Sequence, residues 1–378
     1  MKIRKVLAFT LALALLTALV GCGAKEPEAS EAEATASAAP AVTATPEPTA
    51  TPIPTATPTP EPSFTNPLTG EKSDIDYSQT RPVAIMVENN SWDGYADGSH
   101  ISQGGLSQAA IVYEMQVESI TRNMFIFMDI SDLGNVFPIR SARSYFVSAA
   151  LAYDAIYAHC GESGQGLEFA STMLVNYTDN DNLDVYEGGC GFRQYDAPYY
   201  GEVHSMTTNG ELLQSWFEQL GTRTTHRTDS YDYGLHFTED AAPKGGTVAT
   251  NVNVVFPAGK TSDFTYNADK NGYTSVQWGS DYADGNTGEA VAFQNLLVLS
   301  TPTQTGIDEK GHTSMYTYDY TGTGYFFNGG YCEQITWSRG GVNEPFRYYT
   351  SDGSELELGI GKTYIAFVSE YYGGASFS

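Results

Sequence analysis

Two arginines at the start of a predicted helix are the strongest candidates for chemistry in this sequence. Arg140 and Arg143 lie on either side of Ser141, which is a typical helix N-cap residue. A helix N-terminus presents free N–H groups and a positive dipole end, and arginine binds planar carboxylates or phosphates through two parallel hydrogen bonds. The pattern therefore predicts an anion-binding site built from Arg140 and Arg143, with Arg122 as a third contributor.

The alternative for these arginines is structural ion pairing, with Glu114, Glu118 or Asp154 as partners. Glu114 lies in the middle of an apolar predicted strand, where an unpaired carboxylate is costly. It either faces a ligand or pairs with Arg122 across a hairpin, and the ion pair is favoured.

A second group of candidates follows a predicted strand that ends at His159. Functional groups of α/β folds lie at such strand ends, and Ser163 comes soon after in a glycine-rich turn. The turn lacks the G-x-S-x-G spacing of a nucleophile elbow, because Gln165 occupies the final position. A hydrolase that uses His159, Ser163 and Glu114 is therefore an alternative to a binding function.

Two cysteines near these residues leave several alternatives open. Cys160 and Cys190 either form a disulfide, which an extracytoplasmic location permits, or remain free thiols. A Cys160 nucleophile activated by His159 is a third and less favoured alternative.

The sequence predicts no metal site and no cofactor. Its six histidines form no H-E-x-x-H motif, and its four cysteines form no C-x-x-C motif. The acidic segment that begins at Asp179 resembles a calcium loop in composition, but Asp184 and Cys190 occupy the positions that need Gly and Glu. A solvated acidic loop is the preferred interpretation.

The elements that must position these residues change in kind along the chain. The first part predicts strands at 82–88, 111–117, 123–130 and 155–159, with helices at 141–153 and 211–220. Beyond residues 241–247 only strands and Asn-Gly or Asp-Gly turns are predicted. The sequence thus predicts an α+β fold. A mixed-sheet α/β first domain spans residues 64–243, and a mostly β second domain spans residues 244–378.

Charge composition excludes one broad class of function. The 378-residue chain has 19 Lys and Arg against 45 Asp and Glu, for a formal net charge of −26. Phosphate backbones repel such a surface, so nucleic-acid binding is not expected.

The N-terminus predicts export and lipid anchoring. A basic segment at 2–5 precedes an apolar run at 6–20, which is shorter than the roughly 20 residues that span a bilayer. The run ends in Leu-Val-Gly-Cys, which resembles a bacterial lipobox. We expect residues 1–21 to be a lipoprotein signal peptide and Cys22 to carry the lipid. The predicted location is the outer face of the bacterial cytoplasmic membrane.

A tether is predicted between the lipid and the folded chain. Residues 22–63 are rich in Pro, Thr, Ala and Glu, and they contain no aromatic residue. Such a composition predicts a disordered linker with polyproline II character. At about 3.1 Å per residue, its reach is on the order of 100 Å.

Several long motifs carry a family resemblance. They are the segments at 105–114, 120–122, 139–146, 159–163, 197–208, 328–337, 352–353 and 361–364. Together these segments resemble the YerB-like bacterial lipoproteins over residues 64–370. The resemblance implies a lipobox, a linker and two domains, without an assigned activity. Two positions depart from the family pattern, because Cys160 replaces a small residue and an insertion displaces His204.

These observations predict a membrane-anchored extracytoplasmic protein that binds a ligand or partner, rather than an enzyme. The expected partner is an anionic cell-wall component or an envelope protein, and the alternatives are a cell-envelope hydrolase and an assembly factor for envelope proteins. The predicted ligand-binding residues are Glu114, Arg122, Arg140, Arg143, His159, Arg193 and His204.

Overall fold

The computed structural model describes residues 62–90, 103–161, 182–193 and 204–378. Cys22, Ser163 and the predicted tether lie outside the described residues. Residues Pro60–Ser378 belong to one compact unit.

The described part of the chain is mostly β, as the second half of the sequence predicts. The strands are β1 (Phe64–Thr65), β2 (Lys72–Ser73), β3 (Val83–Asn89), β4 (Ile111–Val117), β5 (Ile120–Phe127), β6 (Ile156–His159), β7 (Asn182–Asp184), β8 (Phe192–Arg193), β9 (Met206–Thr207), β10 (His236–Thr238), β11 (Thr247–Val248), β12 (Asn251–Val255), β13 (Thr261–Asn267), β14 (Gly272–Gln277), β15 (Ser280–Asp281), β16 (Ala292–Phe293), β17 (Asn295–Thr301), β18 (Thr303–Thr305), β19 (Thr313–Met315), β20 (Tyr320–Asn328), β21 (Tyr331–Arg339), β22 (Arg347–Tyr349), β23 (Glu357–Gly359), β24 (Thr363–Ser369) and β25 (Gly374–Phe377). The helices within the described ranges are α1 (Ser144–Leu151) and α2 (Gly210–Leu220), with 3-10 turns at Leu106–Gln108, Pro257–Gly259 and Ala268–Lys270.

An eleven-stranded mixed sheet runs through the molecule. Its order is β11-β21-β20-β17-β24-β4-β5-β3-β6-β7, and β22 pairs with β21. Near the middle, β24 pairs in parallel with both β17 and β4. Strands from residues 64–243 and from residues 244–378 therefore share one sheet, and the predicted boundary near 241–247 does not divide it.

A six-stranded sheet packs against one face of the large sheet. Its order is β15-β14-β13-β12-β25, and β16 pairs with β14. The apolar residues of this face form one core cluster with β12, β13 and β14, while those of the opposite face form another with α1. Every residue of β3, β4 and β24 is buried, which explains why apolar residues dominate both faces of these strands.

Local sequence signals are confirmed at the hairpin and at α2. The predicted hairpin forms from β4 and β5, although β5 begins at Ile120 instead of residue 123. Helix α2 begins after Asn209, whose side chain accepts a hydrogen bond from Leu212 N at 3.0 Å. It ends at Gly221, which has a φ of 64°.

The predicted start of α1 is wrong by three residues. The helix begins at Ser144, and Arg143 takes the N-cap position without a side-chain cap. The preceding backbone pairs with neighbouring strands instead, because Arg140 N donates to Met86 O at 3.1 Å and Ala142 N donates to Gly161 O at 3.0 Å. Among the residues that the structure describes, no helix is long and apolar enough to cross a membrane.

Candidate functional site

Three parallel strands end at one edge of the large sheet, beside the predicted arginines. β3, β6 and β7 are parallel to one another, so Asn89, His159 and Asp184 lie at the same edge. Cys160 N donates to Arg140 O at 3.0 Å, which ties the segment before α1 to this edge. Ligand sites of α/β sheets lie at the carboxyl ends of parallel strands.

Glu88 connects Arg140 with His204. Arg140 Nη1 lies 2.7 and 2.6 Å from the two carboxylate oxygens of Glu88, and His204 Nδ1 lies 2.6 Å from Oε2. Burial alone would raise the pKa of Glu88. The hydrogen bond from His204 and the charge of Arg140 outweigh burial, so the pKa lies below its ordinary value.

Arg143 pairs with the turn of the β4–β5 hairpin. Its Nη2 and Nε donate to Glu118 Oε2 and Oε1 at 2.9 and 3.1 Å. This bidentate geometry is one of the ion pairs that the sequence allowed. Glu118 is 28% exposed through its side chain, so solvent reaches this pair.

Arg122 lies beside these two ion pairs, and the charges of Glu118 and Glu88 act on it, but it forms no ion pair of its own with a carboxylate of the described residues. It is 4% exposed, and its Nη1 donates to Ser141 O at 2.7 Å. Its Nε has no hydrogen-bond partner among the described residues. Burial lowers the pKa of Arg122 to about 9, and the positive charges of Arg143 and Arg140 contribute to that shift. The guanidinium remains charged at neutral pH.

A second buried polar atom near Arg122 also lacks a partner. The hydroxyl of Tyr157 makes no hydrogen bond among the described residues. Both Arg122 and Arg143 act electrostatically on the Tyr157 phenol, which places it near their guanidinium groups. Buried polar groups are normally paired, so the unsatisfied atoms beside these guanidinium groups make this region the candidate site. We call Arg122, Arg140, Arg143 and their partners Glu88, Glu118 and His204 the arginine cluster.

His159 lies at the same edge but is largely buried. It is 1% exposed, and its Nδ1 lies 2.7 Å from Gly161 O and 4.0 Å from Asp184 Oδ2. The Asp184 carboxylate accepts hydrogen bonds from backbone N–H groups, including Gly161 N at 2.8 Å. These contacts fix the shape of the strand end.

The two cysteines are free thiols in the structure, so the disulfide that the sequence allowed is not formed there. Burial raises the pKa of Cys160, and the negative charge of Asp184 adds to the increase. Burial also raises the pKa of Cys190 to about 11. Both thiols are therefore protonated at neutral pH, which disfavours the alternative of a Cys160 nucleophile.

Arg193 lies at the margin of the same region. Its guanidinium carbon is 5.0 Å from the centre of the Tyr186 ring. In the register of β8 and β9, Arg193 lies opposite Met206, whose carbonyl oxygen accepts a hydrogen bond from Ile139 N at 2.9 Å, next to Arg140.

Glu114 is in a different place from the other predicted residues. In the hairpin register Glu114 lies opposite Asn123, while Arg122 lies opposite Met115. Because neighbouring residues of a strand point to opposite faces, Glu114 and Arg122 do not meet. The favoured pairing of Glu114 with Arg122 is therefore wrong, and Glu114 forms an ion pair with Lys260 instead.

The Glu114 carboxylate receives a complete set of donors between the two sheets. Lys260 and Glu114 are both buried, with side-chain exposures of 1% and 0%. The other donors to the carboxylate are Ser262 Oγ at 2.8 Å, Tyr364 OH at 2.6 Å, Asn89 Nδ2 at 2.9 Å and Thr121 Oγ1 at 2.7 Å. Lys260 also donates to Ser262 Oγ and to Gln277 Oε1, the latter at 3.1 Å. We call this group the Glu114–Lys260 cluster.

The structure thus brings most of the predicted residues to one edge of the sheet and leaves Glu114 on the other face. It does not bring Glu114 together with His159, as the hydrolase alternative requires, and Ser163 lies outside the described residues. Sequence reasoning missed Glu88 and Lys260. The sequence did contain a signal for Glu88, because Glu88 is the charged residue near the end of the mainly apolar strand β3.

Two family models match the chain. Residues 68–222 match the family model described as "Protein of unknown function (DUF3048) N-terminal domain". Residues 252–365 match the model described as "Protein of unknown function (DUF3048) C-terminal domain". The chain therefore belongs to the two-domain DUF3048 family.

A relative within this family is "Putative lipoprotein YerB" of Bacillus subtilis (strain 168). It is 29% identical over 309 residues, which cover 80% of this chain and 86% of the relative. The crystal structure of the YerB protein from Bacillus subtilis superimposes with a TM-score of 0.67 at 26% identity. That match covers 83% of this chain and 100% of the crystallised chain. The predicted resemblance to the YerB-like proteins is confirmed.

Proposed function

We propose that this protein is a lipid-anchored extracytoplasmic binding protein whose arginine cluster holds an anionic group of a cell-envelope component. The observation that carries the proposal is Arg122, a buried guanidinium that has, within the described ranges, an unbonded Nε and no ion pair with a carboxylate. A carboxylate or phosphate is the chemical partner that arginine binds best.

The charges of the arginine cluster support this proposal. Among the described residues, the three guanidinium groups face two carboxylates, those of Glu88 and Glu118. The surplus positive charge is buried beside like charges, which is unfavourable in the free protein. An anion that reached Arg122 would relieve the repulsion from Arg140 and Arg143. The side chain of Arg140 is 18% exposed, so the cluster has contact with solvent.

Lipid anchoring is the second part of the proposal. The sequence of residues 19–22 predicts lipidation of Cys22, and the name of the Bacillus relative describes a lipoprotein. Residues 22–63 would then hold the folded chain away from the outer face of the membrane. Within the folded chain, we propose that residues 64–243 form the domain with the anion site and that residues 244–378 form the domain that supports it.

Thermal unfolding with and without simple anions tests the anion site. We expect phosphate, lactate or glycerol 3-phosphate to raise the Tm of the full chain by a few degrees, relative to chloride at equal ionic strength, because ligands stabilise the state that binds them. Arg122→Met should abolish this increase. Arg347→Met is the control, because Arg347 forms an exposed ion pair with Asp232 far along the chain.

The result that would contradict the proposal is equally specific. If Arg122→Met retains the full anion-induced increase in Tm, or if no anion raises the Tm of the unmodified chain, the arginine cluster is a structural feature. Circular dichroism of Arg122→Met shows whether the variant is folded. Arg122→Lys, which keeps the charge but not the paired donors, should retain only part of the effect.

A further inference from the structure

A cleft between α1 and the segment that joins β19 to β20 has a chemical character unlike the arginine cluster. Its volume is about 400 Å³, within the range of small-molecule sites. Tyr145, Tyr316 and Tyr318 bring aromatic rings to the cleft, while Ser144 and Ser314 bring hydroxyl groups. Its lining therefore combines flat apolar surfaces with neutral polar groups.

Exposed tyrosines extend this cleft onto the surface. Tyr316 is 57% exposed, and its ring centre lies 6.3 Å from that of Tyr320. Tyr371 and Tyr372 are 63% and 76% exposed, and their ring centres are 6.2 Å apart. Large exposed aromatic side chains that cluster in this way usually mark an interaction surface.

The two tyrosine pairs belong to one surface. Tyr320 OH donates to Glu370 Oε2 at 3.1 Å, which connects β20 with the residues after β24. Tyr371 and Tyr372 directly follow Glu370 in the chain, so both tyrosine pairs lie beside the same carboxylate. We call Tyr316, Tyr320, Tyr371 and Tyr372 the tyrosine platform.

Charge narrows the choice of ligand. The cleft lining contains no lysine or arginine in the described residues, and Asp319 contributes a carboxylate. Glu370 adds a second carboxylate beside the tyrosine platform. These groups repel an anionic polymer, but they accept hydrogen bonds from hydroxyl groups.

We propose that the cleft and the tyrosine platform bind a neutral saccharide chain. The C–H faces of a sugar ring are apolar and carry slight positive charge, so they stack on the negative faces of tyrosine rings. The hydroxyl groups at the edge of the sugar ring can bond Asp319, Ser144 and Ser314. Tyrosine offers this contact area at little cost in conformational entropy. The proposal does not depend on the anion site.

Isothermal titration calorimetry with neutral oligosaccharides tests the proposal. The probes are tetra-N-acetylchitotetraose, cellotetraose and maltotetraose, each added to the full chain. We expect at least one to bind, and we expect Tyr316→Ala to weaken its binding about tenfold. Tyr316→Phe should retain binding because the ring remains. Tyr331→Ala is the matched control, because Tyr331 is 43% exposed and does not belong to the platform.

Three results would overturn the proposal. They are the absence of binding by all three oligosaccharides at about 10 mM, a wild-type affinity in both Tyr316→Ala and Tyr371→Ala, and an equal loss in Tyr331→Ala. If the platform is instead a contact between two copies of the chain, Tyr316→Ala would change the sedimentation coefficient and no oligosaccharide would bind. Both substitutions replace exposed side chains, so the variants should fold.

Discussion

The Glu114–Lys260 cluster and the arginine cluster are both buried groups of charges, and they differ in completeness. Five donors surround the carboxylate of Glu114, and Lys260 is bonded to three acceptors. In the arginine cluster, as far as the structure describes the chain, Arg122 Nε has no hydrogen-bond partner and three guanidinium groups face two carboxylates. A complete network stabilises a fold, whereas an incomplete one close to solvent has capacity to bind. The comparison therefore separates a structural cluster from a candidate binding site.

The largest expected effect on the free energy of unfolding comes from the Glu114–Lys260 cluster. Lys260→Met leaves the Glu114 carboxylate buried without its cation, so the free energy of unfolding should fall by about 3–5 kcal/mol. Urea denaturation measures the loss. Lys244→Met is the control, because Lys244 pairs with Asp240 in an exposed i,i+4 contact and should change stability by no more than about 0.5 kcal/mol. A loss below about 1 kcal/mol for Lys260→Met would show that water reaches Glu114.

A smaller effect on stability is expected when a single tyrosine hydroxyl is removed at each of the two clusters. Tyr364 OH donates to Glu114 Oε2 at 2.6 Å, so Tyr364→Phe should lower the free energy of unfolding by about 1.5–3 kcal/mol. The Tyr157 hydroxyl has no described partner, so Tyr157→Phe should change that free energy by no more than about 0.5 kcal/mol. Denaturation curves of both variants test the difference. Equal losses of stability in Tyr364→Phe and Tyr157→Phe would mean that the two clusters satisfy their buried polar groups equally well.

The smallest expected effect is a pH dependence of stability that arises from Glu88 in the arginine cluster. The folded-state pKa of Glu88 lies below its ordinary value of 4.5. Its contribution to stability is therefore present above pH 4.5 and is lost as the pH falls through the folded-state pKa. Thermal unfolding between pH 7 and pH 3 should show a weaker decline for Glu88→Gln than for the unmodified chain. Parallel curves would indicate that Glu88 is not stabilised by Arg140 and His204.

Sequence reasoning succeeded where the signal is local. The hairpin of β4 and β5 follows from two apolar runs joined by a short connection, and α2 follows from the amphipathic pattern of residues 211–220. The arginines near α1 were predicted to form an anion site from their type and spacing, and that site stays a prediction. The structure then showed that they lie beside the ends of parallel strands, with Arg143 at the N-cap.

The remaining features depend on contacts between distant parts of the chain. The ion pair of Glu114 with Lys260 joins residues 146 positions apart, and no local pattern specifies such a partner. The same is true of Glu88 and His204, which are 116 positions apart. The apolar sequence of β24 predicted a strand, but its place between β17 and β4 depends on the assembled sheet.

The position of β24 has a consequence for how the chain folds. Tyr364 on β24 and Glu114 on β4 are 250 residues apart in sequence, yet they meet at the centre of the molecule. The strands of the large sheet cannot all pair until almost the whole chain has been synthesised. Pairing between residues so distant in sequence makes folding slow. A fragment that stops before β24 would leave β4 and β17 with unpaired backbone edges, which promote aggregation. The two family domains should consequently fold together rather than in succession.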